Sequence, residues 1–87
     1  MWRLDKRPKF VKQYSRLGSE RQKYVDNALR ELVKAENPAD FGEFKSSIKV
    51  FAYIVNKSDR ILFDIDYPNS TIVLLRVCDH KSVYGRD

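Results

Sequence analysis

The hydrophobic period of this chain changes midway, and that change limits what it can become. From Phe10 to Val33 the apolar side chains recur at three- and four-residue spacing, and from Ile48 onward they alternate. The first period builds helices that bury one stripe; the second builds strands that bury one face. A chain of 87 residues buries only a modest core, so the helices and strands must share it. One sheet carrying the helices on one face meets that condition.

The elements follow from this frame. Trp2 and Leu4 alternate with Arg3 and Asp5, which predicts a short first strand with one apolar face. Pro8 suits the first turn of a helix, where its missing N–H costs nothing. Phe10, Tyr14 and Leu17, with Val11 beside them, form one helical face, and Gly18 is expected to end it in the left-handed conformation. Ser19 to Gln22 reads as a capping box for a second helix, with Val25, Ala28, Leu29, Leu32 and Val33 on its buried face and an Asp26–Arg30 pair one turn apart. Asn37-Pro38 stops it, since the residue before proline avoids the helical region. Residues 8 to 37 are thus expected to form an antiparallel helical hairpin, followed by a loop over 38 to 46.

Next, Ile48, Val50, Ala52 and Ile54 alternate with Lys49, Phe51, Tyr53 and Val55. After the turn Asn56-Lys57-Ser58-Asp59, the segment Arg60 to Tyr67 sets Ile61, Phe63 and Ile65 on one side. Arg60, Leu62, Asp64 and Asp66 fall on the other. Pro68-Asn69-Ser70 is a second turn, and Thr71 to Cys78 is a strongly β-prone third strand. Short turns between strands imply an antiparallel meander. The expected fold is a single α+β domain over residues 1–87, ordered β-α-α-β-β-β. An antiparallel sheet of about four strands carries the helical hairpin on one face, and its other face is at least partly open to a ligand.

Charge and cysteine content narrow the function. The net charge is +5, and residues 1–45 hold +4 of it. Such a balance favours polyanions, or an acidic protein. One Cys, Cys78, and one His cannot build a four-ligand Cys/His zinc site or an internal disulfide. The amino-terminal segment has no apolar run of signal-peptide length, and the longest apolar run, Val50 to Val55, is far too short for a membrane span. A cytoplasmic protein without cofactor or membrane partner is expected. Phosphate-binding glycine loops are absent from the sequence.

The densest polar group is Arg76-Val77-Cys78-Asp79-His80-Lys81-Ser82-Val83-Tyr84. Cleaving RNA through its 2′-hydroxyl requires a group to take that proton, cations to stabilise the phosphorane and an acid for the leaving oxygen. Arg60, Arg76 and Lys81 can hold the phosphate, with Lys49 as a further candidate. His80 and Tyr84 can move protons or stack a base. Structural roles fit the same residues: His80 as a surface residue, Tyr84 as an anchor for the tail, Arg76 as a cross-sheet partner of Asp64 or Asp66, and Cys78 as a small buried hydrophobe. Asp79 brings a negative charge beside the group. Lys9, Lys12 and Arg16 form a stripe on the first helix; with Arg3, Lys6 and Arg7 it becomes a basic patch for RNA or a solvated face. Phe51 and Tyr53 can offer a stacking surface.

The element order and three segments resemble the RelE/ParE toxin superfamily across essentially the whole chain. These are Arg60-Ile61-Leu62-Phe63-Asp64-Ile65-Asp66, Ile72-Val73-Leu74-Leu75-Arg76-Val77, and His80-Lys81-Ser82-Val83-Tyr84. The helix Phe10 to Leu17 resembles the family's first helix. The resemblance implies the toxin of a type II toxin–antitoxin pair: a metal-independent endoribonuclease that cuts mRNA in the ribosomal A site. Its partners would be a cognate antitoxin, the ribosome and mRNA, with operator DNA bound only through the antitoxin. By position, Arg60 matches a phosphate-binding arginine, His80 and Lys81 the basic pair, and Tyr84 the C-terminal tyrosine; Lys45 and Lys49 lie near where some members place basic residues. The ParE branch inhibits DNA gyrase without cutting RNA, and some relatives are inactive, so a non-enzymatic toxin and a plain binding module are the alternatives.

Overall fold

Each element begins or ends where backbone chemistry demands it. In the computed structural model, which describes residues 1–79, strand β1 (Arg3–Lys6) leads into helix α1 (Pro8–Ser15) with Pro8 in its first turn. Helix α2 spans Ser19–Lys34 and buries Val25, Ala28, Leu29 and Leu32, one stripe at helical spacing. It ends three residues before the expected Asn37-Pro38 stop. Asn37 instead caps a 3-10 turn, Pro38–Phe41, by accepting the Ala39 N–H at 3.2 Å.

The junction between the helices departs from the expected caps. Gly18 is extended (φ −65°, ψ 160°) and serves as the N-cap of α2. Only Arg16 and Leu17 lie between it and α1, so it opens the second helix instead of closing the first. Ser19 is already inside the helix and forms no capping box; the Gln22 amide reaches back to the Tyr14 carbonyl at 3.0 Å. The Tyr14 hydroxyl donates to Asp26 at 2.7 Å, while Arg30 turns to Asn27, so the expected Asp26–Arg30 pair gives way to a link between helices.

The sheet has five strands in the order β1-β5-β4-β3-β2, where β2 is Glu43–Lys45, β3 Val50–Ile54, β4 Asp59–Asp66 and β5 Thr71–Asp79. It is mixed, because β1 runs parallel to β5 while the other pairs are antiparallel. The additional strand β2 occupies what alternation left as a loop: three residues are too few to show a period. Pairing it with β3 requires a tight turn over residues 46 to 49, closed by the Lys45 carbonyl, which accepts the Lys49 N–H at 2.7 Å. Lys49 takes the left-handed conformation there (φ 56°), so it leaves the strand on which its sequence position had placed it.

One face of the sheet is covered by the helices. Ile61 and Phe63 of β4 and Ile72, Leu74 and Val77 of β5 pack with Phe10, Val25, Ala28, Leu29 and Leu32. Phe51 stacks on Phe63 with ring centroids 5.4 Å apart, and Tyr53 stacks on Phe41 while donating to Glu31. Both rings thus belong to the helix-covered side and offer no stacking surface on the other. Gly42 closes the end of this core, where a Cβ would lie 2.8 Å from the tip of Phe63. Trp2 fastens the amino terminus to the end of α2 through Nε1, which donates to the Ala35 carbonyl at 3.0 Å.

The other face carries a smaller apolar cluster of Ala52, Leu62 and Cys78, flanked by Ile48, Val50 and Leu75. Cys78 is buried there, as its expected structural role requires. No helix among the described residues is long and apolar enough to cross a membrane.

Candidate nucleic-acid interface

Strand alternation alone would put Arg76 on the same face as Ile72 and Leu74. A bulge in β5 changes that. Phe63 pairs with Leu74 but Leu62 pairs with Arg76, so Leu75 is the extra residue. A bulge re-aims the side chains that follow it. Here it turns Val77 into the helix-covered core and Arg76 onto the opposite face beside Leu62.

Arg60 lies on that same face, because it pairs with Cys78. Arg60 and Arg76 are therefore diagonal neighbours on adjacent central strands, with backbones about 7–8 Å apart by ordinary sheet geometry. Both side chains are half-buried. Asp66 pairs with Thr71, well along the strand from Arg76, whereas Asp64, two residues from Leu62, is a diagonal neighbour of Arg76 on the same face, as Arg60 is. Lys45 joins the same face at the sheet margin, where its ammonium donates to Glu43 at 2.5 Å and holds the glutamate below its ordinary range.

A network at the β3–β4 turn fixes Arg60. Its Nη1 donates to the carbonyls of Asn56 at 2.8 Å and Asp59 at 3.0 Å. Both bonds use one nitrogen, so they do not engage the rest of the guanidinium fork. Asp59 itself is fully buried. It accepts from Nε of Arg21 at 3.0 Å, from Nη2 of Arg21 and from the Asn56 amide at 3.1 Å. The hydrogen bonds from Arg21 hold the Asp59 carboxyl below the usual range even though burial opposes this. Arg21 and Asp59 were not singled out from the sequence, since nothing in it links two residues 38 positions apart.

Asp79 does not crowd the arginines. It pairs with Asp59, and cross-strand partners share a face, so its side chain is directed to the α2 side of the sheet. Its charge acts there on Arg21.

Lys9, Lys12 and Arg16 are exposed and line a shallow groove of about 470 Å³ with Pro8 and Gln13. The Gln13 side chain accepts the Val77 N–H at 3.0 Å, just past the end of β1 pairing. This bond places the basic groove against the carboxyl-terminal half of β5, the strand that carries Arg76 on its other face. Arg3, Lys6 and Arg7 are exposed on and after β1, with Arg7 3.6 Å from Asp5. Lys49 is exposed in its turn. His80, Lys81 and Tyr84 lie outside the described residues.

No protein-family model matches this chain, and no curated protein does. Solved structures do. The RelBE toxin–antitoxin complex of E. coli aligns with a TM-score of 0.77 at 12% identity, over 91% of this chain and 96% of that one. This is a RelE-type fold. A YoeB–YefM complex from Staphylococcus aureus shares that fold with a TM-score of 0.68 at 16% identity, over 92% of this chain and 98% of that one. The archaeal RelE–RelB complex from Pyrococcus horikoshii OT3 aligns with a TM-score of 0.67 at 13% identity, over 99% and 98%. The expected α+β class and RelE-like architecture hold, with one more strand than expected and a parallel pair at β1.

Proposed function

We propose that this RelE-like chain is the toxin of a type II toxin–antitoxin pair and cuts mRNA on the ribosome in the cytoplasm. The observation that carries this is the placement of Arg60 and Arg76 as diagonal neighbours on the sheet face away from the helices, reached through a bulge in β5. Two half-buried guanidinium groups at this spacing suit a phosphodiester, because each presents a planar donor fork that matches phosphate oxygens. The groove of Lys9, Lys12 and Arg16 supplies phosphate contacts that position a large RNA without reading its sequence.

In this reading the 2′-hydroxyl attacks the adjacent phosphorus, and the bond to the 5′-oxygen of the next nucleotide breaks. Arg60 and Arg76, with Lys81, stabilise the charge gathered on the phosphorane oxygens. His80 and Tyr84 exchange the two protons, one from the attacking hydroxyl and one to the leaving oxygen. The chemistry needs no metal. A cognate antitoxin would restrain the activity, and the solved complexes of RelE and YoeB with RelB and YefM support a partner of this kind. Operator DNA would be bound through that antitoxin.

The test is controlled expression with mapping of mRNA 5′ ends on translating ribosomes, for the wild type, Arg60→Ala, His80→Ala and Tyr84→Phe. Cuts within codons are expected, reduced by about tenfold or more in the variants. Growth arrest without cuts, together with lost DNA supercoiling, would move the function to gyrase inhibition. Neither arrest nor cuts would leave a binding module.

A further inference from the structure

Arg21 lies on α2, on the helix-covered side of the sheet, yet its bonds end at the residue beside Arg60. We infer that Arg21 is a positioning residue for Arg60: through buried Asp59 and Asn56 it fixes the direction in which Arg60 meets a phosphate. The inference rests on the reading of Arg60 as a phosphate-binding group.

The chain of bonds is continuous. Arg21 clamps the Asp59 carboxylate with two nitrogens, and the Asn56 amide donates to the same carboxylate. The Asn56 side-chain oxygen accepts the N–H groups of Ser58 and Asp59, both at 2.8 Å, which sets the path of the turn. The carbonyls of Asn56 and Asp59 then anchor Nη1 of Arg60. The two residues that hold Arg60 are thus the two that Arg21 organises.

A buried ion pair is often only structural. Two features point further here. Asp59 is fully buried while the Arg21 side chain is 49% exposed, so the pair sits at a surface from which the turn can be gripped or released. The surface depression of about 410 Å³ beside it is lined by Arg21, Tyr24, Lys57 and Ser58 among others. Removing Arg21 leaves a carboxylate in a dry site with one amide donor, and the turn must open to hydrate it. Arg60 would then lose both carbonyl acceptors. Charge stabilisation depends on donors fixed before the reaction, so loss of that order lowers the rate of chemistry more than it lowers binding.

The experiment is a double-mutant cycle on single-turnover cleavage of ribosome-bound mRNA at saturating protein. It uses Arg21→Gln, Arg60→Ala and the double variant, with folding checked by circular dichroism. Arg21→Gln is expected to lower the rate about tenfold when Arg60 is present and to add nothing when Arg60 is alanine, because interacting residues are not additive. Arg21→Lys, which keeps the charge but not the fork, should restore part of the rate. Equal losses in both backgrounds overturn the inference, as does an unchanged rate in the folded single variant. A second measurement does not depend on cleavage: the 15N guanidinium signals of Arg60 should change from restricted to freely rotating in Arg21→Gln. Unchanged signals overturn the positioning role whether or not the chain cuts RNA. A wild type that never cuts, with the signal change present, would fail the RNase reading and leave the positioning role standing.

Discussion

The two faces of the sheet solve different problems with the same strands. The helix-covered face is continuous: Ile61, Phe63, Ile72 and Leu74 are fully buried against Phe10, Val25 and Leu32. The opposite face gathers, among the described residues, the smaller buried cluster of Ala52, Leu62 and Cys78 and sets Arg60 and Arg76 beside it. The first face supplies most of the stability, because buried apolar area drives folding. The second keeps charged side chains half-buried on a scaffold that the first holds rigid. The lesson is that the arginines gain a fixed geometry from strands whose order is set on the opposite side.

The sharpest way to break this division is to empty the covered face. Phe63→Ala should cost about 3–5 kcal/mol, as large-to-small core changes do, read as the shift in urea midpoint. A cost near zero would mean that the helices do not depend on this face. A smaller loss should follow Arg21→Ala, about 1–3 kcal/mol, because it strips the buried Asp59 carboxylate of its main partner and leaves it the Asn56 amide.

Acid sharpens the same point. Asp59 is held below its ordinary value of 3.8 by Arg21, so its folded-state pKa is depressed. The stabilisation is therefore fully present above that value and is lost as pH falls through the lower folded one. Between about pH 5 and pH 2, urea midpoints should fall more steeply for the wild type than for Asp59→Asn; equal slopes would contradict the coupling. The smallest effect belongs to the basic groove. Lys12→Ala should leave stability within about 0.5 kcal/mol, and a larger loss would show that the stripe on α1 packs instead of meeting solvent.

How much of this could be read from the sequence depends on range. The stripe of α2 and the alternation of Ile61, Phe63 and Ile65 were legible because each side chain's partners sit at fixed spacings along the chain. Pro8 marked a helix start for the same local reason. Gly18 was misassigned because a glycine between two close helices suits the start of one as well as the end of the other. Strand β2 was missed because Glu43–Lys45 is too short to carry a period, and Lys49 was misplaced with it. In the candidate site, the basic stripe and Arg60's face were visible, whereas Arg21 and Asp59 were not.

What the sequence determined by itself was the class of fold: a short strand, two helices, then strands, with one apolar face on each. The two periods require that, because each fixes which side chains point together along its own element. Tertiary structure alone decided which cations share a face. Strict alternation in β5 places Arg76 with Ile72 and Leu74, inside the core. The bulge at Leu75 moves it beside Leu62 and near Arg60, and sends Val77 inward in its place. The physical reason is register. Where a strand gains one residue against its neighbour is settled by the partner strand and the packing above it, and no spacing within the strand records it.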